Sequence, residues 1–321
     1  MLLSRNGLKK HAHLSQAVGI ILHCLVIIAL YPTAGHANPD SAGPQLRIYA
    51  AIAPLSSIIK QIGGPHLSVE TLLPPGQDPH LFEPGPRLLH SLSKADMYLM
   101  SGLPFERMLV QKITARQKQL TVIDLSTKIS FWQSNHHLAA HNCLEDPTNI
   151  HDHSGRDPHF WLGVHQLRQF ITAAARSICD ADPAHVAMYQ NNTARLLARL
   201  DSVHRKNEAL LQPYRSRIFF AYHPAFGYFT RTYNLQQQTV ENDGQKPGPR
   251  TIAALIKKAR AANVHTIFVQ PQYDTKSAQA IATAINGTVL PLDPLAEDAI
   301  QNLETMAQAI ARAFKQEPDQ P

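Results

Sequence analysis

Three histidines in this 321-residue chain stand where they could share one ion. His80 closes Pro74-Pro75-Gly76-Gln77-Asp78-Pro79-His80, directly after the apolar run Leu67–Leu73, which reads as a strand. His223 ends a second such run, Arg217–Tyr222, and His159 sits in Asp157-Pro158-His159-Phe160-Trp161-Leu162, after a polar stretch and ahead of a helix. Ligands of open α/β sheets bind outside the carboxyl ends of strands, so these positions face the expected crevice. A lone histidine near a strand end is more often a hydrogen-bonded structural group than a ligand. Their joint occurrence in one scaffold makes them a candidate set. Imidazole suits zinc, and a tetrahedral site takes four donors at about 2.0–2.2 Å, which leaves one position for a carboxylate or water. Asp293, in Val289-Leu290-Pro291-Leu292-Asp293-Pro294, ends the last predicted strand and is the best protein candidate. It could also serve as an N-cap with Pro294 at the first helical position. Glu241, after Gln237-Gln238-Thr239-Val240, is a weaker alternative.

The elements that must position these residues read as α/β units with mainly parallel sheets, because short β-branched or apolar runs alternate with helical stretches. In the first half the predicted strands are Leu46–Ala50, Leu67–Leu73, Met97–Ser101 and Thr121–Asp124, with helices over Leu55–Ile62 and Arg87–Lys94. A second set comprises Arg217–Tyr222, Leu235–Val240, Val264–Val269 and Thr288–Leu292, with helices near Thr251–Ala262 and Ser277–Ile285. Between the halves runs one long helical signal, from Asp182 as N-cap and Pro183 to about Leu211. Val186, Tyr189, Leu196, Leu197, Leu200 and Val203 keep a helical period along it. At about 1.5 Å per residue it would span ~45 Å, enough for a strut that bridges both lobes and restricts hinge motion. A peripheral packing helix is the plainer alternative.

Composition excludes several classes. With 44% hydrophobic and 17% charged residues the chain is an ordinary globular sequence. Residues 1–37 read as a cleaved export signal: Arg5, Lys9 and Lys10 precede an apolar run from Ala17 to Leu30, and Gly35-His36-Ala37 closes it. That run falls short of the ~20 residues a membrane-spanning helix needs. Cys24 follows Ile21-Leu22-His23, where a lipid-modified cysteine would want small residues. Loss of the leader removes three of the 30 basic residues and none of the 24 acids, leaving a charge too mild to argue for nucleic acid. Cys143 and Cys179 would then sit in an oxidising compartment, where they could pair. The expected domains are an N-terminal lobe over 38–180, a linking helix over 181–213 and a C-terminal lobe over 214–321. The polar loop Gln133–Arg156, with His136, His137, His141, His151 and His153, interrupts the first lobe as either a solvated insertion or a weak secondary metal site.

Three segments carry a specific resemblance: Gly76-Gln77-Asp78-Pro79-His80-Leu81-Phe82-Glu83-Pro84, Asp157-Pro158-His159-Phe160-Trp161-Leu162 and Tyr222-His223-Pro224-Ala225-Phe226-Gly227-Tyr228-Phe229. They resemble the metal-site signatures of the zinc and manganese solute-binding family of ABC importers, over nearly the whole of the mature chain. The resemblance implies two Rossmann-like lobes joined by one rigid helix, with His80 and His159 from the first lobe meeting His223 from the second. Asp293 matches a position where several members supply a carboxylate. Zinc members generally carry histidine where manganese members carry glutamate at the third position, so His223 favours zinc. The implied protein is a monomeric periplasmic receptor that captures a zinc ion and hands it to the membrane permease of an ABC importer. A manganese or iron receptor of the same family is the nearest alternative. The chain departs from the family in its diluted polar loop and in Gly163-Val164, where Ser-Pro is common.

The competing class is a secreted zinc hydrolase, which needs an open metal position and a general base beside the metal-bound water. The sequence holds no His-Glu-x-x-His, no Gly-x-Ser-x-Gly and no Cys-x-x-Cys. Glu83 could be argued as a base, yet Pro84 and Pro86 make its segment a loop. The expectation is therefore a binding protein without turnover.

Overall fold

The computed structural model describes residues 45–114, 120–132, 156–241 and 247–317. The proposed leader, nearly all of the histidine-rich loop and Cys143 lie outside the described residues, and with them any Cys143–Cys179 pairing.

Two parallel sheets account for all the described strands. The first lobe holds β1 (Leu46–Ala50), α1 (Ala53–Gly63), β2 (Leu67–Thr71), α2 (Pro86–Leu92), β3 (Met97–Met100), α3 (Pro104–Thr114) and β4 (Thr121–Asp124). Its strands lie in the order β2-β1-β3-β4, with Leu46 opposite Leu67 and Ile48 opposite Met97. Two helices follow, α4 (Val164–Ala181) and α5 (Val186–Leu211). The second lobe repeats the first plan with β5 (Ile218–Ala221), α6 (Gly227–Tyr233), β6 (Gln236–Thr239), α7 (Pro249–Ala261), β7 (Thr266–Val269), α8 (Lys276–Ala284) and β8 (Thr288–Pro291). Its order, β6-β5-β7-β8, is the same permutation. The chain closes the described fold with α9 (Ala299–Gln316), started by Asp298, whose carboxylate accepts the Gln301 N–H at 2.9 Å.

Helix α5 is the expected long helix, although residues 183–185 form a separate 3-10 turn before it. Asp182, expected as its N-cap, gives its carboxylate to His185 Nδ1 (2.7 Å) and the Tyr189 hydroxyl (2.5 Å). Tyr189, Leu196, Leu200, Val203, Asn207 and Leu211 form its buried stripe, three, four or seven residues apart. This stripe packs on α1 and α4 of the first lobe and on α9. Two amides fix it: Asn192 donates to the Ile62 carbonyl of α1 at 2.9 Å, and Asn207 donates to the Leu303 carbonyl of α9 at 2.9 Å.

One core runs through both lobes as a result. It joins the first sheet, α4, α5 and α9 to Phe219, Ala221 and Phe268 of the second sheet. The alternate residues Phe220, Ile267 and Val269 enter a separate cluster on the far face, with Leu255 of α7 and Ile281 of α8. The two central strands of the second sheet, β5 and β7, thus bury both faces, as parallel strands covered by helices do. The helices α3, α6 and α9 were not among those expected. Helix α9 carries Ile300, Leu303, Met306, Ile310 and Phe314 at helical spacing, so its signal was present in the sequence.

Candidate metal centre

Each of the three histidines is delivered by a short, well-anchored turn. After β2 the chain keeps pairing for two more residues, Leu72 N–H with the Ala50 carbonyl (2.9 Å) and Leu73 N–H with that of Ala51 (3.0 Å). Both leucines are buried, and the proline-rich loop leaves the sheet only beyond them. In that loop Asp78 Oδ1 accepts the His80 backbone N–H at 2.9 Å. Asp157 repeats this turn before His159, accepting its N–H at 2.9 Å. Phe160, Trp161 and Leu162 then bury themselves, and the Trp161 indole donates to the Pro294 carbonyl of the second lobe at 2.7 Å. His223 follows β5, and its backbone is pinned from both sides by Gln270: N–H to Oε1 and Nε2–H to carbonyl, each at 3.1 Å.

The rings converge. His80 lies 5.4 Å from His159 and 4.9 Å from His223 between centroids, and His159 and His223 are 5.2 Å apart. One nitrogen from each falls within 4.8 Å of the others, and no other such group of histidine, cysteine or carboxylate donors occurs among the described residues. Asp157 Oδ1 lies 2.8 Å from His159 Nδ1, and Glu241 Oε1 lies 2.7 Å from His223 Nδ1. A carboxylate can only accept, so each Nδ1 carries a proton, and in the neutral ring Nε2 turns a lone pair inward. The two Nε2 atoms face each other at 3.3 Å. Two nitrogens bound tetrahedrally to one zinc at about 2.0–2.1 Å stand ~3.3 Å apart. A cation between them would turn a repulsion into two bonds.

The electrostatics disfavour protonation of His80 and His223. Burial, then the neighbouring His159 and His223, holds His80 well below the usual imidazole range. The residue as a whole is exposed, but its ring is desolvated where it meets the other two. His223 is also lowered, chiefly by burial, against the upward pull of its bond to Glu241. Imidazoles that resist protonation are ready ligands.

Asp293 is not in this group. Its Oδ1 accepts the Leu295 N–H at 2.9 Å and the Gln272 side-chain amide at 3.1 Å. Nor does it cap α9, since that role belongs to Asp298. Glu241, considered as a donor, stands behind His223 and orients it. The orienting roles of Asp157, Gln270 and Glu241 escaped the sequence reading. One signal for Asp157 was available, because Asp-Pro-His occurs twice, at 78–80 and 157–159. Asp157 also explains a glycine: a Cβ on Gly227 would stand 2.7 Å from its Oδ2. Gly163, one of the departures noted in the sequence, gives room to Tyr228, whose Cβ would lie 2.9 Å from an added methyl group.

Comparison with known proteins agrees with this architecture. Residues 48–316 match the family model "ZnuA: Zinc-uptake complex component A periplasmic". A crystal structure of ZnuA superposes with a TM-score of 0.74 and 34% identity, covering 84% of this chain and 99% of that one. The high-affinity zinc uptake system protein ZnuA of Bacillus subtilis is 23% identical over 86% of this chain and 87% of its own length. The manganese ABC transporter substrate-binding lipoprotein PsaA of Streptococcus mitis is 22% identical over 82% of this chain and 84% of its own. These relatives are solute-binding proteins and not enzymes, which removes the hydrolase reading. The chain belongs to the zinc-uptake component A family, the metal-binding substrate receptors of ABC transporters whose named members serve zinc or manganese.

Proposed function

We propose that this protein captures a zinc ion between its lobes with His80, His159 and His223 and delivers it to an ABC permease. The observation that carries the reading is the inward-facing pair of Nε2 atoms, 3.3 Å apart, each set by a carboxylate on the opposite ring nitrogen. Three imidazole nitrogens suit zinc better than manganese, which prefers carboxylate, carbonyl and water oxygens. Water completes the tetrahedron, or Asp293 does so after leaving its present partners. The cargo enters as substrate, and protonation of the imidazoles opposes its retention. An export signal over residues 1–37 and action in the periplasm fit this role, as does a monomer, because both lobes of one chain supply the ligands.

Elemental analysis of the protein purified from a periplasmic extract tests the reading. About one zinc per chain is expected, lost in His80→Ala. Manganese in its place, or no metal, would refute it.

A further inference from the structure

A hydroxyl of the second lobe holds the turn that carries His159. Tyr228 stands in the first turn of α6, and its side chain is fully buried. Its hydroxyl accepts the Trp132 N–H at 3.0 Å and donates its one proton to the Asp157 carbonyl at 2.8 Å. Those two first-lobe residues are also joined directly, Asp157 N–H to the Trp132 carbonyl at 2.9 Å. The rings of Trp132 and Tyr228 stack, centroids 4.7 Å apart and planes 6° from parallel, and the Arg231 guanidinium lies 4.2 Å from the Trp132 centroid. Beside Tyr228, Gly227 leaves room for the Asp157 carboxylate, which meets His159 Nδ1 at 2.8 Å. Asp157 is therefore seated against the start of α6 by its backbone and its side chain alike. His223 opens the same segment, in which Ala225, Phe226, Tyr228 and Phe229 are all buried and the Phe226 N–H bonds to the Gln237 side chain of β6 at 2.8 Å. One buried stretch of the second lobe thus carries a candidate donor of its own and the clasp on the donor turn of the first.

We infer that Tyr228 is a positioning residue whose hydroxyl clasps Asp157 to the segment bearing His223, and through the Asp157 carboxylate aims His159 at His223, without touching the ion. The inference rests on the proposed zinc site. The Nε2 atoms that face each other at 3.3 Å come from different lobes. Asp157 and Glu241 each orient one ring, but neither registers one lobe on the other. Trp161 ties the His159 turn to Pro294 on the downstream side of the ligand, and Tyr228 ties it upstream, with the donor and acceptor of its hydroxyl both used. A pair of donors already in register contributes affinity because less ordering remains for the ion to impose.

The test measures zinc affinity of the full-length mature protein by competition with a fluorescent chelator. Tyr228→Phe keeps the stacked ring and deletes only the hydroxyl. It should weaken zinc about tenfold, the lower end of the loss expected when a ligand loses its support. Tyr233→Phe deletes another buried hydroxyl of α6, one that accepts from Asn207 at 3.3 Å, and should leave the affinity at the wild-type value. In an Asp157→Ala background no carboxylate is left to seat, so adding Tyr228→Phe should cost no more than about twofold further. Wild-type affinity in Tyr228→Phe overturns the inference. An equal loss in Tyr233→Phe does so too, because it would mark a general loosening of the helix, and so does a tenfold loss that persists in the Asp157→Ala background. A wild-type chain that takes up no zinc overturns the zinc reading itself, whereas zinc uptake with unchanged affinity in Tyr228→Phe overturns only the role of Tyr228.

Discussion

The back and the front of the cleft are built differently. At the back, His159 and His223 are 5% and 7% exposed, and each ring is fixed by a carboxylate on Nδ1. At the front, His80 sits on a proline-rich loop facing solvent, beside Leu81 at 80% exposure. On the proposed reading two donors are thus set in place before any ion arrives, and the third comes from a solvent-facing turn whose ring has no carboxylate hydrogen bond among those of the described residues. Pre-set donors contribute affinity because little ordering remains to be done on binding. On the same reading the exposed third donor stands where an ion would enter or leave.

Removing a back ligand should have the largest effect. Structural zinc sites bind with about 10–16 kcal/mol, so one of four donors carries roughly 3 kcal/mol, more than a hundredfold in affinity. His223→Ala is expected to lose at least that much in competition with a fluorescent chelator. Retention of wild-type affinity would mean that His223 is not a ligand. The next largest effect belongs to the carboxylates. Glu241→Gln and Asp157→Asn should each weaken zinc by about 10- to 100-fold, as loss of an orienting partner does. If neither changes the dissociation constant, the contrast between a pre-set back and an open front fails.

Much of the frame could be read from the residues. The strands Leu46–Ala50 and Thr121–Asp124 match their predicted bounds, because short runs rich in β-branched and apolar residues between turn residues mark strands. The long helix was visible in the spacing of Tyr189, Leu196, Leu200 and Val203. Helix α6 was hidden because Gly227-Tyr228-Phe229 has little helical propensity of its own and is held by packing. At the centre, strand-end placement singled out the three histidines that the fold brings together. The partners behind them were harder to see. Glu241 lies 18 residues from His223, and only the pairing of β5 with β6 brings the ends of those strands side by side. Asp293 was attractive for its strand-end position, yet its carboxylate is engaged by Leu295 and Gln272. Position relative to a strand can be read from sequence, whereas the direction of a carboxylate depends on which loop neighbours offer N–H groups.

A smaller effect concerns acid. Burial lowers the pKa of His223 most, Glu241 pulls it up, and the net shift is downward. His80 is shifted the same way. Below about pH 6.5 the unfolded chain therefore binds protons that the folded one refuses, and stability falls with pH until the folded-state values are reached. The thermal midpoint of the metal-free protein should drop as pH is lowered from about 6.5, and His223→Gln should make that drop shallower. An equally steep profile in the variant would show that His223 is not held neutral by its surroundings.

The smallest effect should come from a change that leaves both back and front alone. Asp298 accepts the Gln301 N–H at 2.9 Å at the start of α9 and pairs with Arg199 of α5 at 2.9 Å. Asp298→Ala removes the cap and should cost about 1 kcal/mol of stability, read as a lower denaturant midpoint. The Arg199 pair is partly exposed and adds little. Zinc affinity should stay at the wild-type value, since the ligands are oriented by Asp157, Glu241 and their own turns. A tenfold loss of affinity here would mean that the shared helical core also tunes the centre, and that the spacing of the two lobes, more than the local carboxylates, prepares the back of the cleft.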